Sequence, residues 1–397
     1  MNPAGSARLD RLRLYYAAFA QDVAAGCYSL GVQFVAVNAG LPLDVVGYVA
    51  IAGSFCYTLS AFFLGRLSDR LGRKPVAVTS LVIVCAAYYL MALAGRLTLI
   101  VPLAMLAAGT IATFWPGIQA WLSEVTETGA SHLGRTMSSF NVAWSAGLML
   151  GPYLAGKVYL RHPDQPFLLA SLASGTCVLA LLFMRSPRDP APAEPPRDSS
   201  LAPPAPSRAD LYLRMAWYAN FVSWSVGAVV RALFPKLGKE LTYSEDLIGQ
   251  LIAAFGLAQM TSFALLRWTT RWQYRTWPLL VAQLAAIAGL LLALVAQRPA
   301  LFALAFFLPG LCAGVTYSAS LFYSLHDRAA GRAQKSGVHE AVLGSGVLVG
   351  PLLGGWAGRL LEPRAMFAVP LLMIAISLFL QWRVLARLRT FKSEPAP

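Results

Sequence analysis

Charged residues are what this sequence has least of. Only 13% of its 397 residues are Asp, Glu, Lys or Arg, whereas a soluble domain carries roughly 25%. Acids are the scarcer sign, with 18 Asp and Glu against 32 Lys and Arg. Hydrophobic residues make up 57% of the chain, and its mean hydropathy is +0.58. This composition excludes a soluble globular protein, and it predicts an integral membrane protein whose positive loops set topology rather than bind nucleic acid.

Cysteine and histidine are also rare. The five cysteines lie far apart in apolar runs and form no Cys-x-x-Cys pair, so neither a zinc site nor a disulfide framework is indicated. The four histidines are scattered, and the chain has no His-Glu-x-x-His, Gly-x-Ser-x-Gly or Walker motif. We therefore predict no catalytic residues, no metal, no cofactor and no direct use of ATP.

Long apolar runs are what the sequence has instead. A helix of about 20 apolar residues crosses the roughly 30 Å of a bilayer's hydrocarbon core. Twelve such runs can be placed, which predicts an all-α membrane protein with twelve transmembrane helices. The predicted spans lie near 13–37, 44–64, 75–94, 98–122, 136–159, 166–184, 211–234, 246–266, 276–296, 300–324, 336–358 and 364–385.

The segment 186–210 divides these spans into two groups of six. It is rich in Pro, Ala and charge, which disfavours both a span and a helix. We predict a six-helix bundle over 1–185, a cytoplasmic linker over 186–210, a second bundle over 211–385 and a cytoplasmic tail over 386–397. Most Lys and Arg fall in the loops on the side of the linker. This asymmetry predicts that both termini are cytoplasmic, in a plasma membrane that we take to be a bacterial inner membrane.

The two bundles look like copies of each other. Leu43-Asp44-Val45-Val46-Gly47 parallels Glu245-Asp246-Leu247-Ile248-Gly249 at an offset of 202 residues. A second pair of motifs, described below, repeats at an offset of 199. Two nearly equal offsets at distant places indicate duplication, with two parallel six-helix repeats.

The loop 65–75, between the second and third spans, has the sequence GRLSDRLGRKP. It resembles the signature G-x-L-x-D-R-x-G-R-[KR] of major facilitator superfamily transporters, and every fixed position is filled. The resemblance implies a secondary transporter with a central cavity lined by the first, fourth, seventh and tenth helices. It also implies a cytoplasmic gate, to which we assign Gly65, Asp69, Arg70, Gly72, Arg73 and Glu124.

The resemblance gives this gate a physical basis. It places Asp69 near the N-terminal end of the eleventh helix, where the helix dipole favours an anion. Such a contact would hold the two halves together, with Glu124 as the partner of Arg70 or Arg73. The alternative is that the loop only sets topology.

The repeated Gly-Pro motifs form the helix-packing set. In the fifth span this motif resembles the antiporter motif G-x-x-x-G-P-x-x-G-G, although Ala155 stands where a glycine belongs. Small residues at helical spacing allow close helix approach in lipid, and proline can bend the helix. The motif favours export, and simple helix packing is the alternative. Its members are Gly147, Gly151, Pro152 and Gly156, with Gly346, Gly350 and Pro351 in the eleventh span.

Polar residues inside spans are functional candidates because they are costly in a bilayer. In the first span, and again in the seventh, they recur at a spacing that places them on one face of the helix. The repeat offset aligns these two faces. A cavity with these residues would suit an amphipathic or anionic solute. The alternatives are a structural carboxylate at Asp22 and a surface-snorkelling Arg231. The predicted cavity residues are Asp22, Ser29, Gln33, Trp115, Gln119, Asn220, Trp224, Arg231, Tyr317 and Ser320.

Three residues are predicted to carry protons: Asp22, His339 and Glu340. Burial disfavours the charged form of an acid, so such a group can take up and release a proton as the cavity changes sides. The alternative for Glu340 is an acid favoured by the helix dipole. The fourth-span segment 106–117 lacks the Arg that the resemblance leads one to expect in proton-linked relatives.

The predicted function is secondary active transport of a small organic solute by alternating access, as proton-coupled efflux. Proton-coupled uptake of an organic anion or sugar-like nutrient is the alternative within this class. A non-transporting membrane sensor or a lipid-modifying protein is the alternative from another class. The predicted partners are a small-molecule substrate, H⁺ and the lipid bilayer, without nucleic acid, and the protein is predicted to be a monomer.

Overall fold

The computed structural model describes residues 3–64, 67, 71–126, 130–184, 208–325 and 332–390, and this part of the chain is helical with short connections. We number its helices by span, and two spans consist of two segments each. The helices are α1 (Pro3–Asn38), α2 (Leu43–Leu64), α3 (Arg73–Ala94), α4a (Leu97–Ile111), α4b (Phe114–Glu124), α5 (Ala130–Tyr159), α6 (Gln165–Leu182), α7a (Arg208–Ala232), α7b (Phe234–Glu240), α8 (Glu245–Leu266), α9 (Trp277–Val295), α10 (Pro299–Leu325), α11 (Arg332–Leu360) and α12 (Ala368–Thr390), with a 3₁₀ turn over Pro363–Phe367.

Twelve helical spans confirm the predicted fold class. Within the described ranges, nine stretches are long and apolar enough to cross a membrane. The other three, α1, α5 and α7a, carry polar side chains that are wholly or partly buried, among them Asp22, Asn141 and Arg231. Their lower hydropathy follows from lining the interior of the bundle instead of facing lipid.

The helices pack as two equivalent halves. In the first half α1 packs against α5 and α6, and in the second half α7a packs against α11 and α12. The halves meet mainly where α2 packs against α11 and where α5 packs against α8. Because α2 corresponds to α8 and α5 to α11 in the repeat, these two interfaces are equivalent to each other. The predicted arrangement of two parallel repeats is thereby confirmed.

The fourth span breaks at a different place from the one its sequence indicates. The pair Pro116-Gly117 in its sequence favours a bend at those residues, but α4b continues through both of them and the interruption lies at Ala112–Thr113. The physical reason is that Pro116 has no N–H to donate to the carbonyl of Ala112, four residues earlier. Proline is well tolerated in the first turn of a new helix, where N–H groups have no intrahelical partner. The seventh span is interrupted in the same way at Leu233, just before Pro235.

Two other boundaries differ from the prediction. Helix α1 begins at Pro3, ten residues before the predicted span, and its added turns carry the Arg13–Asp10 contact at 3.4 Å. Helix α7a begins at Arg208, so residues 208–210 of the predicted linker are helical. The rest of that linker lies outside the described residues.

Glycine sets the distance between α5 and its neighbours. A methyl group added at Gly147 would overlap the carbonyl oxygen of Phe19 on α1, and one added at Gly151 would lie 2.7 Å from the Cα of Gly26. One added at Gly156 would instead overlap the carbonyl oxygen of Glu245 on α8, across the interface between the halves. The three motif glycines therefore join α5 both to its own half and to the other half.

The second copy of the motif repeats this arrangement. Methyl groups added at Gly346 and Gly350 would collide with α7a, at the carbonyl oxygens of Phe221 and Ser225. Pro351 contacts α2, because its carbonyl oxygen would lie 2.7 Å from a methyl group added at Gly47. The Gly-Pro motifs thus occupy equivalent contacts in both halves, on either side of the central axis.

Candidate substrate cavity

A central cavity of about 300 Å³ lies between the two halves. It is lined by α1, α2, α4a, α4b and α5 from the first half and by α7a, α10 and α11 from the second. Both repeats therefore contribute side chains to one shared space. The lining includes Asp22, Tyr28, Ser29, Tyr57, Trp115, Gln119, Phe140, Trp144, Trp224, Arg231, Tyr317, Glu340 and Val347.

The ten predicted cavity residues separate into three groups. Seven of them line the central cavity: Asp22, Ser29, Trp115, Gln119, Trp224, Arg231 and Tyr317. Gln33 lines a smaller neighbouring space. The other two, Asn220 and Ser320, are fully buried and do not reach it. A helical stripe gives the direction of a side chain but not the depth at which a neighbouring helix covers it.

Three charged side chains line the central cavity within the described residues. Asp22 on α1 and Arg231 on α7a interact electrostatically across it, yet they approach too loosely to form an ion pair. The guanidinium of Arg231 lies 5.8 Å from the ring centre of Trp224 and 5.7 Å from that of Phe255, so cation–π contacts hold it in place. Arg231 therefore faces the cavity and does not snorkel to the outer surface.

Glu340 is the third charged residue. Its side chain lines the cavity, and within the described part of the chain it forms neither a hydrogen bond nor an ion pair. The hydroxyl groups of Tyr57 and Tyr317 lie within its electrostatic reach. An unpaired carboxylate at this depth is costly to keep charged, and so is suited to exchanging a proton or to meeting a cation.

His339 differs from its neighbour Glu340 in that it does not line the cavity. It is fully buried, and its Nδ1 lies 2.7 Å from the hydroxyl oxygen of Ser320 on α10. Its ring packs edge-on against Tyr317, with centres 5.1 Å apart. His339 thus joins α11 to α10 behind the cavity wall, and any part in proton transfer would be indirect.

Aromatic side chains form most of the remaining wall. The ring of Trp144 on α5 lies 5.3 Å from the rings of both Phe263 and Tyr317 and 6.5 Å from that of Trp224, so this cluster bridges the two halves. Trp144, Tyr28, Tyr57 and Phe140 line the cavity although they are not among the residues predicted from the sequence. The sequence does point to this part of α5, because the repeat offset aligns Asn141 with Glu340. In the structure, the carboxamide oxygen of Asn141 accepts a hydrogen bond from the Trp144 indole N–H at 3.1 Å.

A smaller space of about 130 Å³, here called the distal chamber, adjoins the central cavity. The two spaces share wall residues, among them Ser29, Arg231 and Val347. Gln33 lines the distal chamber and is 5% exposed, and its carboxamide oxygen is buried without a hydrogen-bond partner. Arg231 is the only charged residue among the described residues of this chamber.

The predicted gate lies on the face where α1 begins and α12 ends, here called the terminal face. Arg73 Nε donates to Glu124 Oε1 at 2.6 Å, which ties the start of α3 to the end of α4b. Gly72 has a φ of +90°, a conformation that L side chains rarely adopt, and this explains glycine at that motif position. Gly65, Asp69 and Arg70 lie outside the described residues.

Polar contacts join the halves at the opposite face, here called the distal face. Arg359 of α11 forms an ion pair with Asp44 of α2 at 3.0 Å. On the other interface, the side-chain amide of Asn38 donates to Glu245 at 3.3 Å. Together with the glycine contacts described above, these bonds close the distal face between the halves.

We expect removal of both distal contacts to favour opening of this face. Polar contacts at the surface contribute about 0.2–1 kcal/mol each, so Arg359→Gln combined with Asn38→Ala should raise the distal-open population about two- to thirtyfold. The measurement is the rate at which a membrane-impermeant thiol reagent labels Ser29→Cys, with the five native cysteines replaced. Glu240→Gln, an exposed acid on the same face, is the matched control. An unchanged labelling rate in the double variant would contradict a role for these bonds in holding the face closed.

Known proteins resemble this chain in sequence over part of its length. It is 27% identical to the class C tetracycline resistance protein of Escherichia coli over 233 residues, which cover 55% of this chain and 58% of that protein. It is 24% identical to multidrug resistance protein 1 of Bacillus subtilis, with 36% of each chain covered. Each of these matches covers less than two thirds of the relative's length.

Solved structures resemble it over nearly its whole length. A bacterial homologue of the human lysosomal transporter Spinster, in an inward-facing and unoccupied conformation, matches with a TM-score of 0.73 at 13% identity, covering 99% of both chains. A peptide transporter matches with a TM-score of 0.74 at 13% identity, covering 98% of this chain and 99% of that one. At these identities the likeness shows the fold alone.

The sequence family gives the assignment. The family model described as Major Facilitator Superfamily matches residues 14–234 and 216–397, nearly the whole chain. This match agrees with the two packed repeats and with a cavity between them. The chain therefore belongs to the Major Facilitator Superfamily, and it is an integral membrane protein.

Proposed function

We propose that this protein exports a small organic solute in exchange for protons, by alternating access of the central cavity to the two sides of the membrane. The cavity lies where the two halves meet, so rocking one half against the other would expose it to each side in turn. The names of the relatives, a tetracycline resistance protein and a multidrug resistance protein, support export over uptake.

The observation that carries proton coupling is the position of Glu340. It lies in the cavity wall on the second half, without a basic partner among the described residues, in a cavity that Asp22 and Arg231 also line. When Glu340 loses its proton, its negative charge would favour contact with a substrate. When it takes up a proton, that contact would weaken. One carboxylate can in this way tie the movement of solute to the movement of protons.

The gate completes the proposal. We assign Asp69 and Arg70, with Gly65 and Gly72, to contacts that close the terminal face in the outward-open state, and Arg73 to an ion pair with Glu124 that stiffens the same end of the first half. The terminal face would then be cytoplasmic, with both termini inside the cell and a bacterial inner membrane around the protein. A monomer suffices, because one chain supplies both halves of the cavity.

The experiment is transport by purified protein in liposomes with and without a pH gradient. Tetracycline, which the relatives' names supply, is the first test solute, and a thermal-shift screen supplies others because ligand binding raises apparent stability. We expect accumulation of solute when the gradient favours exchange and none when the gradient is collapsed. Accumulation only when protons and solute move in the same direction would instead favour an uptake symporter. Binding without any transport would favour a sensor.

A further inference from the structure

The central cavity and the distal chamber share wall residues, with Arg231 where the two spaces meet and Glu340 in the central cavity alone. Val347 of α11 lines both spaces together with Arg231, whereas Glu340 lies seven residues earlier on the same helix. At 1.5 Å per residue, Glu340 and Val347 lie about 10 Å apart along the helix axis. The aromatic wall of Trp144, Trp224 and Tyr317 contributes to the central cavity.

The donors of Arg231 are unused. Its guanidinium is fixed by the rings of Trp224 and Phe255, and it makes no hydrogen bond to any described residue. An arginine that is held by stacking presents its N–H fork to a carboxylate in bidentate geometry. Gln33, largely buried, lies in the same chamber, and its carboxamide oxygen has no hydrogen-bond partner among the described residues.

Glu340 also lacks a partner among the described residues. Asp22 interacts electrostatically with Arg231, but Glu340 has no such cation among the described residues. Tyr57 and Tyr317 line the same cavity as Glu340. A ligand ammonium group would therefore find in Glu340 an acid without a cation among the described residues, with aromatic faces nearby that also favour a cation.

From these positions we infer that the substrate is an aromatic zwitterion. Its anionic group binds Arg231 at the distal chamber, its ring system packs against the tryptophans, and its ammonium group binds Glu340. This inference rests on the proposed function, because it takes the central cavity as the transport site. It goes further in requiring both charges on one rigid molecule, about 10 Å apart.

The test uses three compounds with one aromatic body. Aminomethyl-biphenyl-carboxylic acid is a rigid zwitterion with its charges at opposite ends, its methyl ester is the corresponding cation, and its N-acetyl derivative is the corresponding anion. Binding to the purified full chain is measured by calorimetry at neutral pH. We expect the zwitterion to bind about tenfold or more tightly than either derivative, since a charge-assisted bond contributes about 1.5–3 kcal/mol.

Two substitutions assign the ends. Arg231→Gln should remove the preference for the zwitterion over its ester, and Glu340→Gln should remove the preference over its N-acetyl derivative. Arg231→Lys should restore part of the first preference. Glu362→Gln, an exposed acid outside the cavity, is the control and should change neither preference.

The inference is overturned if the ester or the N-acetyl derivative binds the wild-type protein as tightly as the zwitterion. It is also overturned if folded protein, judged by size-exclusion profile and thermal unfolding, binds none of the three. These results are separate from those of the transport assay. Zwitterion binding without gradient-driven accumulation would contradict the proposed export and support the inferred substrate class. Gradient-driven accumulation of a singly charged solute would support export and contradict the inferred substrate class.

Discussion

Glu340→Gln should abolish accumulation driven by a pH gradient while leaving exchange of substrate across the membrane measurable. The amide has the shape of the protonated acid but cannot release a proton, so the cavity can no longer couple the two movements. Because Glu340 lies in the cavity wall without a basic partner among the described residues, the substitution should not unpair another charge. We expect gradient-driven uptake to fall to the level of protein-free liposomes.

The measurement compares accumulation and counterflow of the substrate that the liposome assay identifies. Glu362→Gln is exposed at the distal face and should retain both activities. Asp22→Asn, tested in parallel, distinguishes the two acids of the cavity. If Glu340→Gln still accumulates substrate in a pH-dependent way and Asp22→Asn does not, the proton carrier is Asp22. If both variants accumulate it, neither acid carries the proton.

Gly151→Ala should destabilise the protein strongly for so small a change. The added methyl group would lie 2.7 Å from both the Cα of Gly26 and the carbonyl oxygen of Val23, so α1 and α5 must move apart. Overpacking of this kind costs about 1–3 kcal/mol. In this protein it also displaces α1, which carries Asp22 and Ser29, and we expect transport to be lost.

The matched control is Gly175→Ala in α6, where the same methyl group would lie 3.7 Å from the Cys85 sulphur, an ordinary contact. Both variants gain the same helix propensity, so the difference in unfolding temperature between them isolates the helix contact. Gly350→Ala, the repeat equivalent, should behave like Gly151→Ala because its methyl group would lie 2.5 Å from the Ser225 carbonyl oxygen. Equal stability and transport in Gly151→Ala and Gly175→Ala would contradict the role assigned to the motif.

The architecture could be predicted from the sequence because it depends on local composition. Twelve apolar runs, the loop 65–75 and two repeat offsets are sufficient for the fold class, since hydrocarbon excludes any lipid-exposed spanning segment that leaves its backbone groups unbonded. Helical spacing also placed Asp22 and Ser29 on one face, and the repeat offset placed Arg231 on the equivalent face. The proline positions indicate where helices are interrupted. The interruption caused by Pro116 lies four residues earlier, at Ala112, whose carbonyl has no N–H of residue 116 to accept from.

Tertiary packing decided which polar residues reach the cavity. His339 and Glu340 are neighbours in the sequence, yet one is fully buried against Ser320 and the other lines the cavity. Asn220 shares a helical face with Arg231 but is covered by its surroundings. Trp144 carries no polar signal of its own, and it enters the wall only because glycines bring α5 close to α1 and α8. By itself the sequence determined the helices and their faces, through hydrophobicity and spacing. The depth of each side chain, and therefore the charge pattern of the cavity, depends on how closely neighbouring helices approach, and only the folded structure fixes that distance.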